Sequence, residues 1–132
     1  MRLSLAYEMQ RPVVDDHAVI EETIEQCVLA DKMGFDAVWF VEHHFLTSFS
    51  MSPCPEVIFG ALTQRTKRIR LGFGVVILPY HHPVRVAERV AMVDHLSGAG
   101  SSSAPAARRR TSRSAWASTR ATRARCGKSR WR

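Results

Sequence analysis

The sequence reads as an α/β chain, with parallel strands joined by helical crossovers. Three observations point there. Short apolar runs rich in β-branched and aromatic residues alternate with longer segments of helical periodicity, three times over in about the first hundred residues. None of these runs is paired with its neighbour through a short hairpin turn, so the connections are crossovers. The first run leads into Gln10-Arg11-Pro12 and not into a Gly-x-Gly-x-x-Gly turn, which favours a β/α barrel over a dinucleotide-binding sheet.

Residues 3–7 form the first strand candidate. Asp15 and Asp16 then suit a helix start, as acceptors for free N–H groups and as charges at the positive end of the dipole. Val19, Ile20, Ile24, Cys27, Val28 and Met33 recur on or beside one stripe, opposite Glu21, Glu22 and Glu25. Gly34 is the helix stop. The run 37–41 follows at once, apolar on both faces as in a parallel strand, and ends in Glu42-His43-His44. At the C-terminal end of a barrel strand such groups stand where catalytic residues belong. From spacing alone they read equally well as loop residues bonded to backbone.

A polar loop through residues 47–52 is long enough to reach over a site. Pro53 and Pro55 mark the second helix start, with Val57, Ile58, Ala61 and Leu62 as its apolar face and Arg65, Lys67 and Arg68 at its C-terminal end. The third strand is expected over 69–78, interrupted by Gly72 and Gly74, which signal a bulge or a close approach. It ends in Pro79-Tyr80-His81-His82-Pro83, a second histidine pair. Pro83 opens a third helix with Val86, Val90, Val93 and Leu96 inward, closing at Ser97-Gly98.

Charge divides the chain in two. Residues 1–98 carry nine Lys/Arg and all twelve Asp/Glu, whereas residues 99–132 carry ten Lys/Arg and no acid. The second segment has no Val, Ile, Leu, Phe, Met or Tyr, so it is expected to be a disordered tail. The three cysteines show neither a CxxC nor zinc spacing, and a reducing cytoplasmic setting fits them. The start of the chain is too quickly polar for a signal peptide, and no apolar run is long enough for a membrane span.

Gly34-Phe35-Asp36-Ala37-Val38-Trp39 running into Glu42-His43-His44-Phe45, then Leu71-Gly72-Phe73-Gly74-Val75-Val76-Ile77-Leu78-Pro79, then His82-Pro83-Val84-Arg85 and Asp94-His95-Leu96-Ser97-Gly98, resemble the bacterial luciferase-like flavin-dependent monooxygenases. The resemblance covers residues 1–98. It implies a TIM (β/α)8 barrel, of which this chain carries the first three βα units. It also implies oxidation of a small organic substrate by O2 and reduced FMN, the flavin being supplied by a reductase, in an enzyme that is oligomeric at full length. His43 matches the family's catalytic histidine, with Glu42 and His44 as its supports. A non-prolyl cis peptide against the flavin ring maps to Gly74-Val75.

Three other readings are set beside this one. A relative using deazaflavin F420 for hydride transfer shares the fold. A basic-tailed nucleic-acid-binding module follows from the clustered arginines. A metal site built from His43, His44, His81 and His82 with Glu42 is weighed and not expected, because adjacent histidines usually point apart and leave too few ligands. For His81 and His82 a polar turn before a helix is the simpler reading. No Ser or Cys sits in a nucleophile elbow.

The resemblance stops at Gly98, where Arg, Ala and Ser codons accumulate as they do in a shifted frame of GC-rich DNA. Reading each codon of 124–131 from its predecessor's third base permits Ala-Met-Trp-Glu-Glu-Ser-Leu, an amphipathic helix start. A one-base loss or its equivalent is therefore expected near residues 98–100. As translated, a three-strand piece with two open edges is expected to be poorly soluble and inactive.

Overall fold

The computed structural model describes residues 2–10, 15–46 and 48–98. The expected tail, residues 99–132, lies outside the described residues. Within them the order is β1 (Ser4–Tyr7), α1 (Asp16–Met33), β2 (Ala37–Phe40), α2 (Pro55–Arg65), β3 (Arg70–Phe73) and α3 (Pro83–Leu96). The strands form one parallel sheet in the order β1-β2-β3, with Ser4 level with Ala37 and Ala37 with Arg70. Each new strand is added on the far side of the last, so the sheet advances in one direction, as in a β/α barrel.

Register follows from burial on the helix-covered face. Val38, Phe40 and Leu71 point into a core completed by Cys27 of α1, Phe59 and Leu62 of α2, and Val93 of α3. Tyr7, Phe40 and Phe73 stand in one row at the C-terminal end of the strands. Tyr7 stacks on Phe40 at 5.0 Å, and Phe59 meets Phe40 and Phe73 edge-on at 5.4 and 4.8 Å. Full burial of a phenylalanine contributes about 1.5–3 kcal/mol, so this row anchors the strand ends on which the site stands. A one-residue slip would turn the row to the other face.

On the opposite face Trp39 lies across Gly72. A Cβ on Gly72 would stand 2.6 Å from Trp39 Cε3, so the glycine is there for the close approach of an indole. At the other end of the sheet Asp31, 8% exposed, accepts the main-chain N–H groups of Lys67 (2.7 Å), Arg68 (2.9 Å) and Ile69 (2.7 Å), and so fixes the entry to β3. Gly34 closes α1 in the left-handed conformation (φ 86°), donating to the carbonyls of Ala30 and Asp31.

Several expectations need correction. Asp15 caps α1 without a side-chain hydrogen bond and offers only its carbonyl, which accepts from Val19 N at 3.2 Å. The buried face of α2 is Pro55, Phe59, Leu62 and Thr63, because burying the larger Phe59 turns Val57 outward to 68% exposure. Met33 and Leu96 are also exposed. The third strand ends at Phe73 instead of residue 78. Gly74 N makes the last sheet bond, to Phe40 O at 2.7 Å, and the chain then turns away into a 3-10 turn, Leu78–Tyr80. Pro79 in that turn has no N–H to give a ladder. The Gly74-Val75 bond is trans, since no peptide bond among the described residues is cis. The cis form costs about 3 kcal/mol and needs packing to enforce it, whereas Val75 is 62% exposed.

Candidate active site at the strand ends

The parallel register brings the exits of all three strands to one end of the sheet. Glu42 leaves β2 almost wholly buried, 3% exposed, and an ionised carboxylate there needs donors around it. It has three. His44 Nε2 lies 2.7 Å from Oε1, His81 Nε2 bonds the same oxygen, and Ile77 N donates to Oε2 at 2.9 Å. Burial alone would raise its carboxyl. The bonds from His44, His81 and Ile77 outweigh that, and hold it below the usual carboxylate range.

The network continues onto the helices. Arg89 of α3 places Nη2 3.0 Å from His81 Nδ1 and Nη1 2.5 Å from Glu56 Oε1 on α2. Tyr80 meets the His44 ring edge-on at 5.4 Å. His44, Glu42, His81, Arg89 and Glu56 thus form one continuous chain of polar contacts across the ends of β2, α2 and α3.

His43 belongs to a second, separate pair. Its Nε2 lies 3.2 Å from Glu8 Oε2, at the exit of β1, and its ring meets Phe49 edge-on at 6.2 Å. A carboxylate only accepts, so Nε2 carries the hydrogen in this bond and Nδ1 of the neutral ring carries the lone pair. Both partners are partly open to solvent. The loops holding them are tied together: Ser50 Oγ donates to Glu8 O, Met51 N to Met9 O at 3.1 Å, and His43 N to Ser52 O at 2.9 Å. Two non-glycine residues beside this site have left-handed backbones, Met9 (φ 48°) and Phe45 (φ 58°), a conformation costing about 1–2 kcal/mol each. They follow directly on Glu8 and His44.

Neither cysteine among the described residues suits nucleophilic work. Burial pushes the Cys27 thiol up to about 11, and burial also raises Cys54, so the reactive thiolate is scarce at both.

The sequence profile of the luciferase-like monooxygenases matches residues 1–100. The chain belongs to that family. It is 43% identical over 83 residues to limonene 1,2-monooxygenase of Rhodococcus erythropolis, an overlap of 63% of this chain and 21% of that protein. To the oxygenase component of the flavin-dependent trigonelline monooxygenase of Acinetobacter baylyi it is 39% identical over 100 residues, covering 74% of this chain and 27% of the relative. The chain therefore spans about a quarter of the length of these relatives. Its fold matches the oxygenating constituent of 3,6-diketocamphane monooxygenase from Pseudomonas putida, solved with FMN. There the TM-score is 0.68 at 24% identity, over 74% of this chain and 27% of that one.

In this luciferase-like chain the sequence-predicted residues separate into the two clusters. His43 stands at the strand ends, but its hydrogen-bond partner is Glu8. Glu42 and His44, expected to support it, bond each other, and Glu42 also bonds His81. The two histidine pairs do meet, one member from each: Glu42, His44 and His81 bring a ligand-type atom each within 4.8 Å of the others, which is the one ligand per pair that the sequence allowed. His82 instead caps α3, its Nδ1 accepting from Val84 N at 3.3 Å. Gly74 and Val75 flank the same end, with Gly74 against Trp39. Glu8, Glu56 and Arg89 were missed. For Arg89 a signal existed, since a cation beside Val90 and three residues from Val86 interrupts the apolar stripe of α3. No helix among the described residues is long and apolar enough to cross a membrane.

Proposed function

We propose that the chain is the N-terminal part of a flavin-dependent monooxygenase, which uses reduced FMN from a partner reductase in the cytoplasm and inserts oxygen from O2 into an organic substrate. The observation that carries this reading is the half-open His43–Glu8 pair at the strand ends, inside the stretch that matches the family profile. The residues present fit the ring end of a flavin. An imidazole, a carboxylate and the exposed backbone at Gly74-Val75 lie along one rim, with Trp39 behind the glycine. The flavin dependence of the trigonelline enzyme supports a flavin cofactor.

Bound reduced flavin would supply the electrons that activate O2. What the chain supplies is proton handling. Glu8 holds His43 by Nε2–H, which leaves the lone pair of Nδ1 to take or return a proton. Burial of Glu42 with its two histidines keeps that part of the rim rigid. The eight-stranded barrel, its remaining segments and an oligomeric state belong to the proposal, as does a shift of reading frame near residues 98–100.

Sequencing the locus tests the frame: stop codons scattered through the offset frame soon after Arg132 would remove it. In the frame-restored protein, His43→Ala should lower turnover about 100-fold, the usual scale for losing a positioned acid or base, while flavin titration is little changed. Unchanged turnover takes His43 out of the reaction. Hydride transfer from F420, with no oxygen uptake, would replace FMN in this reading.

A further inference from the structure

The cluster of Glu42, His44 and His81 has the composition of a two-histidine, one-carboxylate metal site, yet a residue outside it decides what it is. We propose that Arg89 is a positioning residue that fixes His81 as its neutral Nε2–H tautomer, and so makes the cluster a proton-bonded clamp on Glu42 instead of a metal site.

The argument starts from donor and acceptor inventory. A guanidinium has donors only. Arg89 Nη2 lies 3.0 Å from His81 Nδ1, so that nitrogen must offer its lone pair, and the ring hydrogen must sit on Nε2. Nε2 faces Glu42 Oε1, to which it donates. The opposite tautomer would set an N–H against the guanidinium and a lone pair against a carboxylate, two mismatches in a site where His81 is 16% exposed and Glu42 3%. The doubly protonated ring would make the first of those mismatches and add repulsion from Arg89.

Arg89 is itself held in place. Its other arm is on Glu56 Oε1 at 2.5 Å, and its Nε is 3.3 Å from Arg85 O one turn back along α3. Glu42 then receives three hydrogens, from His44, His81 and Ile77, and has no need of a cation.

Ligation needs the lone pair of the nitrogen that faces the metal, and at His81 that nitrogen is protonated. The cavity beside the cluster, lined by Glu42, His81 and Arg89 among others, is about 10 Å3, the lower limit for one water. With the tautomer fixed, both imidazoles share one carboxylate oxygen, and His44 is held with its Nδ1 directed away from Glu42. The proposal concerns the same rim as the flavin reading, but its test contains no flavin, so either can fail alone.

The test uses the full chain with 15N-labelled histidine, His81 being assigned from the signals lost in His81→Gln. The expected wild-type spectrum has a pyridine-type Nδ1 and a pyrrole-type Nε2 at His81. Added Co2+ should give no visible ligand-field band. R89K, which keeps one donor on Nδ1, should preserve that pattern. R89M should populate the Nδ1–H form and acquire a Co2+ band that is lost again in the double variant with E42Q. The proposal is overturned if wild-type His81 is Nδ1-protonated or exchange-averaged, if R89M leaves its tautomer unchanged, or if the wild type gives a Co2+ band that depends on Glu42. Should R89M lose its far-UV circular dichroism, the wild-type spectrum and Co2+ titration still decide.

Discussion

Two buried carboxylates sit at opposite ends of the same three strands, and they are satisfied in different ways. Asp31, at the end where strands begin, accepts three main-chain N–H groups from Lys67, Arg68 and Ile69. Glu42, at the end where strands finish, accepts one main-chain N–H and two imidazoles. Burial would raise both carboxyls, and in both the hydrogen bonds prevail and lower them. Main-chain donors cannot titrate or turn, so Asp31 has one function, to hold β3 in register. Two of the partners of Glu42 are side chains, and one of them, His81, is held in turn by Arg89. A β/α unit thus separates stability from chemistry by the kind of donor it brings to each end.

The strongest attempt to break this contrast is Asp31→Ala, which strands three buried N–H groups at once. It should cost about 3–5 kcal/mol in urea unfolding of the full chain. A midpoint equal to wild type would mean that the strand entry does not depend on Asp31. Midway along β3, Gly72→Ala drives a methyl into Trp39, and an expected loss of about 2 kcal/mol follows from overpacking. A neutral outcome there would show that the indole swings aside freely, and that the site face is softer than the helix-covered face.

Glu42→Gln should have the smallest effect, about 1 kcal/mol at neutral pH, because the amide still accepts but sets a donor against one of its neighbours. Its pH dependence sharpens the contrast. A carboxyl lowered in the folded state adds stability that is present above its unfolded value, 4.5 for Glu42, and lost as pH falls through the folded one. The gap between wild type and variant should therefore close as pH drops below about 4.5. A gap constant down to pH 3 would contradict the depressed carboxyl. For Asp31 the same sign applies, starting from 3.8.

What the sequence made legible follows the range of the forces involved. Helix starts at Pro55 and Pro83, the stop at Gly34 and the run through Val38 and Phe40 are local, and each is found where expected within a residue or two. The end of β3 was misjudged because a long-range event ends it: the N–H of Ile77 goes to a carboxylate 35 residues earlier. Glu8 escaped notice for a similar reason. It becomes a neighbour of His43 only once Tyr7 is level with Phe40, a register that no local pattern specifies. His43 and His44 were singled out from their position after a strand, whereas His81 was read as part of a polar turn. The division of the adjacent pair between two carboxylates depends on side-chain directions that neighbouring residues take in opposite senses.

The tie between His43 N and Ser52 O has a consequence for how the chain can be altered. Together with Ser52 Oγ on Val41 O at 2.7 Å, it draws the segment after β2 shut at its neck. Phe45, 98% exposed, stands on the part beyond the neck. For a loop already closed, doubling its length adds only about 0.6 kcal/mol of closure entropy. Residues inserted just after Phe45 are thus nearly free thermodynamically, while one inserted between Val41 and His43 shifts an imidazole and a carboxylate together. Added length at this rim is tolerated best at its tip, and the neck acts as a fixed frame around which loops of different reach can be exchanged.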